Sequence, residues 1–211
     1  MPLLLKIFFS LVISYVIGAI PTAYLMGRAL RRVDIRNFGS GNVGATNAFR
    51  VLGKGPGIAV LLFDISKGVW AAALVPTLLG LTDIIWPTIL GITAVAGHNW
   101  TIFLGFKGGK GIATSLGVLI GLTIVFPSIQ PVVMSCVLIW QGVFLLSGYI
   151  SLSSIIAAVS LPVFMTMTNQ SMELIFLGII FCVFVVIRHR PNLKRLLSGQ
   201  EPKMPLSFLK R

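Results

Sequence analysis

Residues 3–27 read LLLKIFFSLVISYVIGAIPTAYLMG, and a basic segment, RALRRVDIRNF, joins them to GSGNVGATN at residues 39–47. The last stretch holds a G-x-G-x-x-G, and Asp64 lies 20 residues beyond Gly44, the outline of a dinucleotide-binding turn. That turn works only after a buried strand, where it opens a helix inside a βαβ unit. The first stretch excludes this. It is apolar over the ~17–25 residues that cross a bilayer, and no strand feeds the glycines. What survives is local chemistry: closely spaced glycines let backbone N–H groups approach an anion. The loop therefore stays a phosphate-binding candidate, on an all-α membrane fold.

Composition agrees. Of 211 residues, 56% are hydrophobic and 10% charged, against about 25% charged in soluble domains, and mean hydropathy is +0.97. The net charge of +12 comes from 17 Lys and Arg against 5 Asp and Glu. Such a bias points to anionic partners, lipid headgroups or phosphorylated substrates. Nucleic acid is not expected, because the basic residues form short clusters between apolar spans. Cys136 and Cys182 sit in apolar runs and read as small hydrophobes. No cleavable signal peptide is expected, since the first apolar segment runs on without a small-residue cleavage site.

Apolar stretches give seven candidate spans, near 3–26, 56–80, 85–104, 111–127, 131–149, 152–168 and 172–188. The first three are long enough. The fourth, sixth and seventh are short, or hold Pro162 or many small residues, and are open to a re-entrant reading. No internal repeat is visible, so residues 1–211 read as a single membrane-embedded domain. Loop 27–55 holds Arg28, Arg31, Arg32, Arg36, Arg50 and Lys54. Loop 105–110 holds Lys107 and Lys110. The tail holds Arg188, Arg190, Lys194, Arg195, Lys203, Lys210 and Arg211. With seven spans these segments share one side, which is then cytoplasmic by the positive-inside rule. The N-terminus falls outside and the C-terminus inside.

That topology gathers the polar loops at one membrane face. In GSGNVGATNAFR, residues 39–50, the side chains of Ser40, Asn42, Thr46 and Asn47 offer donors and acceptors, and Arg50 suits bidentate phosphate binding. The bland alternative is a capped connector, but the loop is longer than a turn requires. GFKGGKG, residues 105–111, is not a Walker A loop. Gly108 and Gly109 between Lys107 and Lys110, ahead of a helix start, suit an anion through N–H groups and helix dipole; a tight turn obeying the positive-inside bias is the alternative. SGYISLSS, residues 147–154, adds Ser151 and Ser153. His189 and Asn192, three apart at the end of the last span, share a helical face. His189 is open to three readings: donor to a phosphate, base, or interfacial residue. His98 and Asn99 form an intramembrane polar pair, functional by default or a packing hydrogen bond. Asp64 and Lys67 read as a structural ion pair.

The five acidic residues are scattered, so no carboxylate Mg²⁺ site is expected, and no Cys/His cluster suits zinc. No G-x-S-x-G elbow occurs, and the H-x-x-x-x-D pattern of common glycerolipid acyltransferases is missing. The chemistry is expected to need no cofactor. Two other classes fit a small basic membrane protein: a transporter of an organic phosphate, which usually carries repeats and midplane polar groups, and a lipid-binding regulator.

The ordered set GSGNVGATN…R, FD…KG, GH…GFKGGKG, SGYISLSS and RHRPNLKRLLSGQE resembles the bacterial acyl-phosphate:glycerol-3-phosphate acyltransferases over nearly the whole chain. The resemblance implies a multi-pass enzyme of the bacterial inner membrane with its site facing the cytoplasm. The implied reaction moves a fatty acyl group from acyl phosphate to the sn-1 hydroxyl of glycerol 3-phosphate, giving lysophosphatidic acid and phosphate, the first acylation of phospholipid synthesis. It implies acyl phosphate, glycerol 3-phosphate and membrane lipids as partners, and leaves open whether the soluble enzyme that makes acyl phosphate hands it over. It assigns essential roles to Ser40 and Arg50, a glycerol 3-phosphate loop to Gly108–Gly111 with Lys110, catalytic roles to His189 and Asn192, and a structural role to Glu201. Two positions depart from the family pattern: Ala19 stands where Ser is frequent, and Thr101 where Pro is usual.

Overall fold

A computed structural model describes residues 1–204; Lys210 and Arg211 of the basic tail lie outside the described residues. All regular structure among these residues is helical. The chain forms two compact units, residues 1–127 and the residues from 128 onward.

In the first unit, α1 (Leu3–Ala19) ends at Ile20–Pro21, and α2 (Thr22–Arg31) leaves at 42°. Pro21 supplies no N–H to the ladder, so the expected span 3–26 is broken rather than continuous. A short helix α3 (Ala45–Leu52) leads into α4 (Lys54–Val69). One π-helical turn, Trp70–Leu74, joins α4 to α5 (Val75–Leu78). Pro76 has no N–H to return to the Ala72 carbonyl, which accounts for the widened ladder. Then come α6 (Ile85–Asn99) and α7 (Ile112–Val125).

Two helix pairs dominate this unit. On α1, Ser10, Ser14 and Gly18 form a buried stripe against α6. A Cβ on Gly18 would run into the Ala94 backbone, and one on Gly97 into the Tyr15 carbonyl. Gly68 of α4 and Gly117 of α7 are likewise pressed against the backbone of the opposite helix. Small residues at such crossings let backbones approach where lipid supplies no hydrophobic drive.

The second unit packs α9 (Ile150–Met167) against both α8 (Gln130–Ser147) and α10 (Met172–Arg188). Trp140 Nε1 donates to Ser154 Oγ at 3.1 Å, tying α8 to α9. After α10 the chain bends by 60° at His189 into α11 (Arg190–Leu197). Pro191 fits the first turn of the new helix but has no N–H to extend the old one.

Among the described residues, segments Lys54–Leu78, Pro127–Ser147 and Ile150–Met167 are long and apolar enough to cross a membrane, and two bent pairs, α1–α2 and α10–α11, raise the number to at most 5. The third and fourth expected spans are shorter than the sequence suggests. α6 stops at Asn99 after 15 residues, because residues 100–111 turn back on it, and α7 runs for 14.

Candidate functional site

The first motif loop is braced from inside. Asn47 is buried, and its side-chain oxygen accepts the Ser40 N–H at 2.8 Å. Its amide nitrogen donates to the carbonyls of Ile35 at 3.2 Å and Phe38 at 3.1 Å. Asn47, assigned to substrate from the sequence, thus has its amide engaged within the loop. Ser40 and Arg50 are exposed, and Asn42 and Thr46 are half-buried. Beneath them Ile35, Val43, Ala48 and Leu52 form an apolar cluster with Ala23 and Val60. Asp34 takes Arg36 at 2.7 Å and Arg28 at 3.4 Å, and both guanidinium groups lie over the Tyr24 ring. The Arg36 hydrogen bonds hold the Asp34 carboxyl down to about 2.

The glycine loop meets the first loop through Leu104, which packs into the same apolar cluster. Gly105 and Phe106 are both left-handed, with φ of 60° and 61°, and they reverse the chain. Gly108 then donates its N–H to the Asn99 carbonyl at 3.1 Å, and Gly109 its N–H to the His98 carbonyl at 3.0 Å. This corrects one expectation: these two N–H groups anchor the loop to the end of α6. The glycines serve close approach instead, since a Cβ on Gly108 would strike the His98 carbonyl and one on Gly109 the His98 ring. Lys107 is exposed, Lys110 is half-buried, and Gly111 caps the start of α7. Helix start and lysines remain the loop's attractions for an anion.

Behind the loop lies buried charge. Asp64 Oδ1 receives the Lys67 ammonium at 2.6 Å and the Thr22 hydroxyl at 3.2 Å, and Lys67 Nζ also donates to the Ile20 carbonyl at 2.7 Å. The structural ion pair read from the i, i+3 spacing is present. Thr101 Oγ1 donates to the Ala19 carbonyl at 2.5 Å, and Tyr15 to the Trp100 carbonyl at 2.7 Å.

In the second unit, Glu201 gathers residues far apart in sequence. Its Oε1 accepts from Ser151 at 2.7 Å and from Asn192 at 2.6 Å, and its Oε2 from Arg195 Nε at 2.8 Å. No local pattern signals the Ser151 and Arg195 contacts. Burial pushes the Glu201 carboxyl up, but these three donors and the Arg195 charge outweigh it and hold the carboxyl below the ordinary glutamate range. Ser151 is thereby engaged structurally, and Ser153 donates back to the Tyr149 carbonyl at 2.8 Å. His189, buried at the α10–α11 bend, places Nδ1 2.9 Å from the Val185 carbonyl. A carbonyl only accepts, so this contact puts a proton on Nδ1. Cys136 is buried, Cys182 half-buried, and both are free thiols.

The family profile described as Glycerol-3-phosphate acyltransferase matches residues 8–199. A curated protein of that name from Synechococcus sp. (strain CC9902) is 41% identical over 203 residues, 96% of this chain and 97% of the relative. Another from Geobacter sulfurreducens is 43% identical over 190 residues, 90% and 93% of the two chains. The crystal structure of PlsY (YgiH), an integral membrane glycerol 3-phosphate acyltransferase, in its glycerol 3-phosphate form superposes with a TM-score of 0.86 at 38% identity, over 97% of this chain and 99% of that one. Its lysophosphatidic acid form superposes at 0.83 and 37% identity. With the profile spanning most of its length and relatives this similar across nearly all of it, the chain belongs to the glycerol-3-phosphate acyltransferase family.

Proposed function

We propose that this chain transfers a fatty acyl group from acyl phosphate to the sn-1 hydroxyl of glycerol 3-phosphate, forming lysophosphatidic acid and phosphate. One observation carries the reading. The chain matches, over nearly its full length, a protein solved with glycerol 3-phosphate and with lysophosphatidic acid, two molecules that differ by one acyl group. Acyl phosphate as donor follows from the ordered motif set. Residues 1–211 then act as one acyltransferase domain in the bacterial inner membrane, with the motif loops on the cytoplasmic side.

Acyl phosphate is a mixed anhydride, so its leaving group departs readily. The harder tasks are to bring two anions together and to deprotonate a primary hydroxyl. Arg50, Lys107 and Lys110 offset the repulsion between the substrates. Gly108 and Gly109 let the loop pack tightly on the end of α6 and so present Lys110 to the glycerol phosphate, while Asn42 and Thr46 contribute polar contacts. Ser40 donates to the acyl phosphate and its developing oxyanion, where one donor contributes ~2.7–4 kcal/mol. Asn47 supports the first loop from behind rather than touching substrate, while Ser151 and Ser153 are engaged by Glu201 and the Tyr149 carbonyl. His189 and Asn192 orient the glycerol 3-phosphate, and a substrate phosphate oxygen takes the hydroxyl proton as the hydroxyl oxygen bonds to the acyl carbon and the carbon–oxygen bond to the leaving phosphate breaks. Attack is direct, without an acyl-enzyme.

The test is a turnover assay in detergent with acyl phosphate and glycerol 3-phosphate. Product should form without a sealed vesicle, and acyl-CoA should not substitute for acyl phosphate. An organic-phosphate transporter would give no product. Lys110→Ala should raise KM for glycerol 3-phosphate more than for acyl phosphate. His189→Gln should retain activity if a phosphate takes the proton, whereas complete loss of kcat at every pH would make His189 the base.

A further inference from the structure

Charge buried in a membrane protein is costly and demands a role. Asp64, Lys67 and His98 are 1%, 1% and 7% exposed, and together they run from the α1–α2 break to the glycine loop. Lys67 is anchored on the Ile20 carbonyl and binds Asp64. Asp64 Oδ1 faces His98 Nδ1 at 3.8 Å. That is too long for a hydrogen bond. In a low-dielectric interior, though, it is close enough for the carboxylate to draw the ring's Nδ1 edge toward itself. The opposite edge of the ring lies against Gly109: a Cβ built there would sit on Nε2 and 3.0 Å from both Cδ2 and Cε1. The His98 carbonyl meanwhile accepts the Gly109 N–H. Residue 98 thus holds residue 109 by main chain and side chain together.

We propose that His98 is a positioning residue for the transfer reaction: Asp64 fixes the orientation of its imidazole, and the imidazole seats the Gly108–Lys110 backbone so that the loop meets the phosphate of glycerol 3-phosphate. This rests on the reading of the glycine loop as the glycerol 3-phosphate site. A histidine that merely filled space would be replaceable by any side chain of similar volume. A histidine that sets the loop affects the affinity for one substrate and leaves the chemistry of the other alone.

Asp64 is a poor place to test this. Its removal strands the Lys67 ammonium in an apolar interior, and losing one partner of a buried pair disrupts folding broadly. The test uses His98 and Gly109, with steady-state kinetics in detergent and calorimetric titration of glycerol 3-phosphate. His98→Ala should raise the glycerol 3-phosphate KM and Kd about tenfold, with kcat and the acyl phosphate KM changed less than about threefold. His98→Asn, which keeps a nitrogen donor directed at Asp64, should recover most of that affinity. Gly109→Ala should weaken glycerol 3-phosphate binding in the wild-type background and add nothing in His98→Ala, because the ring it collides with is gone. A His98→Ala enzyme with unchanged glycerol 3-phosphate affinity, equal losses for both substrates, or additive effects of the two substitutions would overturn the proposal. If His98→Ala does not yield folded protein, the other two variants decide: near-normal affinity in His98→Asn with weakened binding in Gly109→Ala supports it, and the reverse overturns it. A wild-type enzyme that made no product from acyl phosphate would instead bring down the reading of function, while the titrations would still report on His98.

Discussion

Asn47 shows how one side chain sets a loop. Its amide joins the Ser40 N–H to the Ile35 and Phe38 carbonyls, so Asn47→Ala deprives three main-chain groups of a partner. The Ile35 and Phe38 carbonyls keep the Phe38 and Gly41 N–H groups as donors, so the Ser40 N–H is the group that loses its partner, at a cost of about 1–3 kcal/mol. Thermal unfolding in detergent should therefore come earlier and kcat should fall as Ser40 loses its seat; an unchanged Tm would show that the loop holds without Asn47. Thr101 and Ala19, the two positions that the resemblance marks as departures, meet in one hydrogen bond, from the Thr101 hydroxyl to the Ala19 carbonyl. Glu201 is the pH-sensitive residue. Held below 4.5 in the folded chain, it stabilises fully above its unfolded pKa, and that contribution disappears as pH falls through the folded one. Asp34, held to about 2, acts in the same direction. Stability should thus decline on acidification below about pH 4.5, and Glu201→Gln should flatten the decline. An unaltered acid slope in Glu201→Gln would remove Glu201 from this account.

Among the elements, the α4–α7 crossing is the least forgiving contact. Gly117→Val would drive a branched side chain into the Ile65 backbone, and overpacking of this kind costs about 1–3 kcal/mol or more. Loss of monodisperse protein on size exclusion is the expected result. Gly142, where an added Cβ would meet open space, is the control, and Gly142→Ala should behave as wild type. Equal behaviour of the two would show that α4 and α7 tolerate separation. These glycines explain what the sequence made legible and what it did not. Long apolar runs marked the helices, and Pro21 and Pro191 sat where the chain bends. The many small residues of residues 111–127 left a re-entrant reading open, because a glycine at a helix crossing and one in a loop look alike without the opposing backbone. The Asp64–Lys67 pair was legible because both residues lie on one helix turn. The Glu201 contact with Ser151 spans 50 residues, and no local pattern encodes it. The glycine loop does lie between two helices, as its glycines suggest, but the partners of its N–H groups depend on where α6 ends, which apolarity overshot by five residues.

For the whole molecule, the concentration of 15 of the 17 Lys and Arg in three segments sets an orientation to be tested. Single cysteines at Asp83 and Gln170 should react with an impermeant reagent from outside the cell. Cysteines at Ser40, Lys107 and Gln200 should react only once the membrane is opened. Lys107 is preferable to Gly109 as a probe, because any side chain at 109 meets the His98 ring. Labelling of residue 107 from outside would dismantle the shared cytoplasmic face. The Glu201 carboxylate has a further consequence, one of timing. Ser151, Asn192 and Arg195 all precede it in the chain, so during synthesis three donors emerge from the ribosome before their common acceptor exists. The α10–α11 corner that carries His189 is completed only when residue 201 has been added and has folded back. A nascent chain interrupted shortly before that point would already hold every proposed catalytic side chain, yet lack the clasp that keeps two of its helices in register.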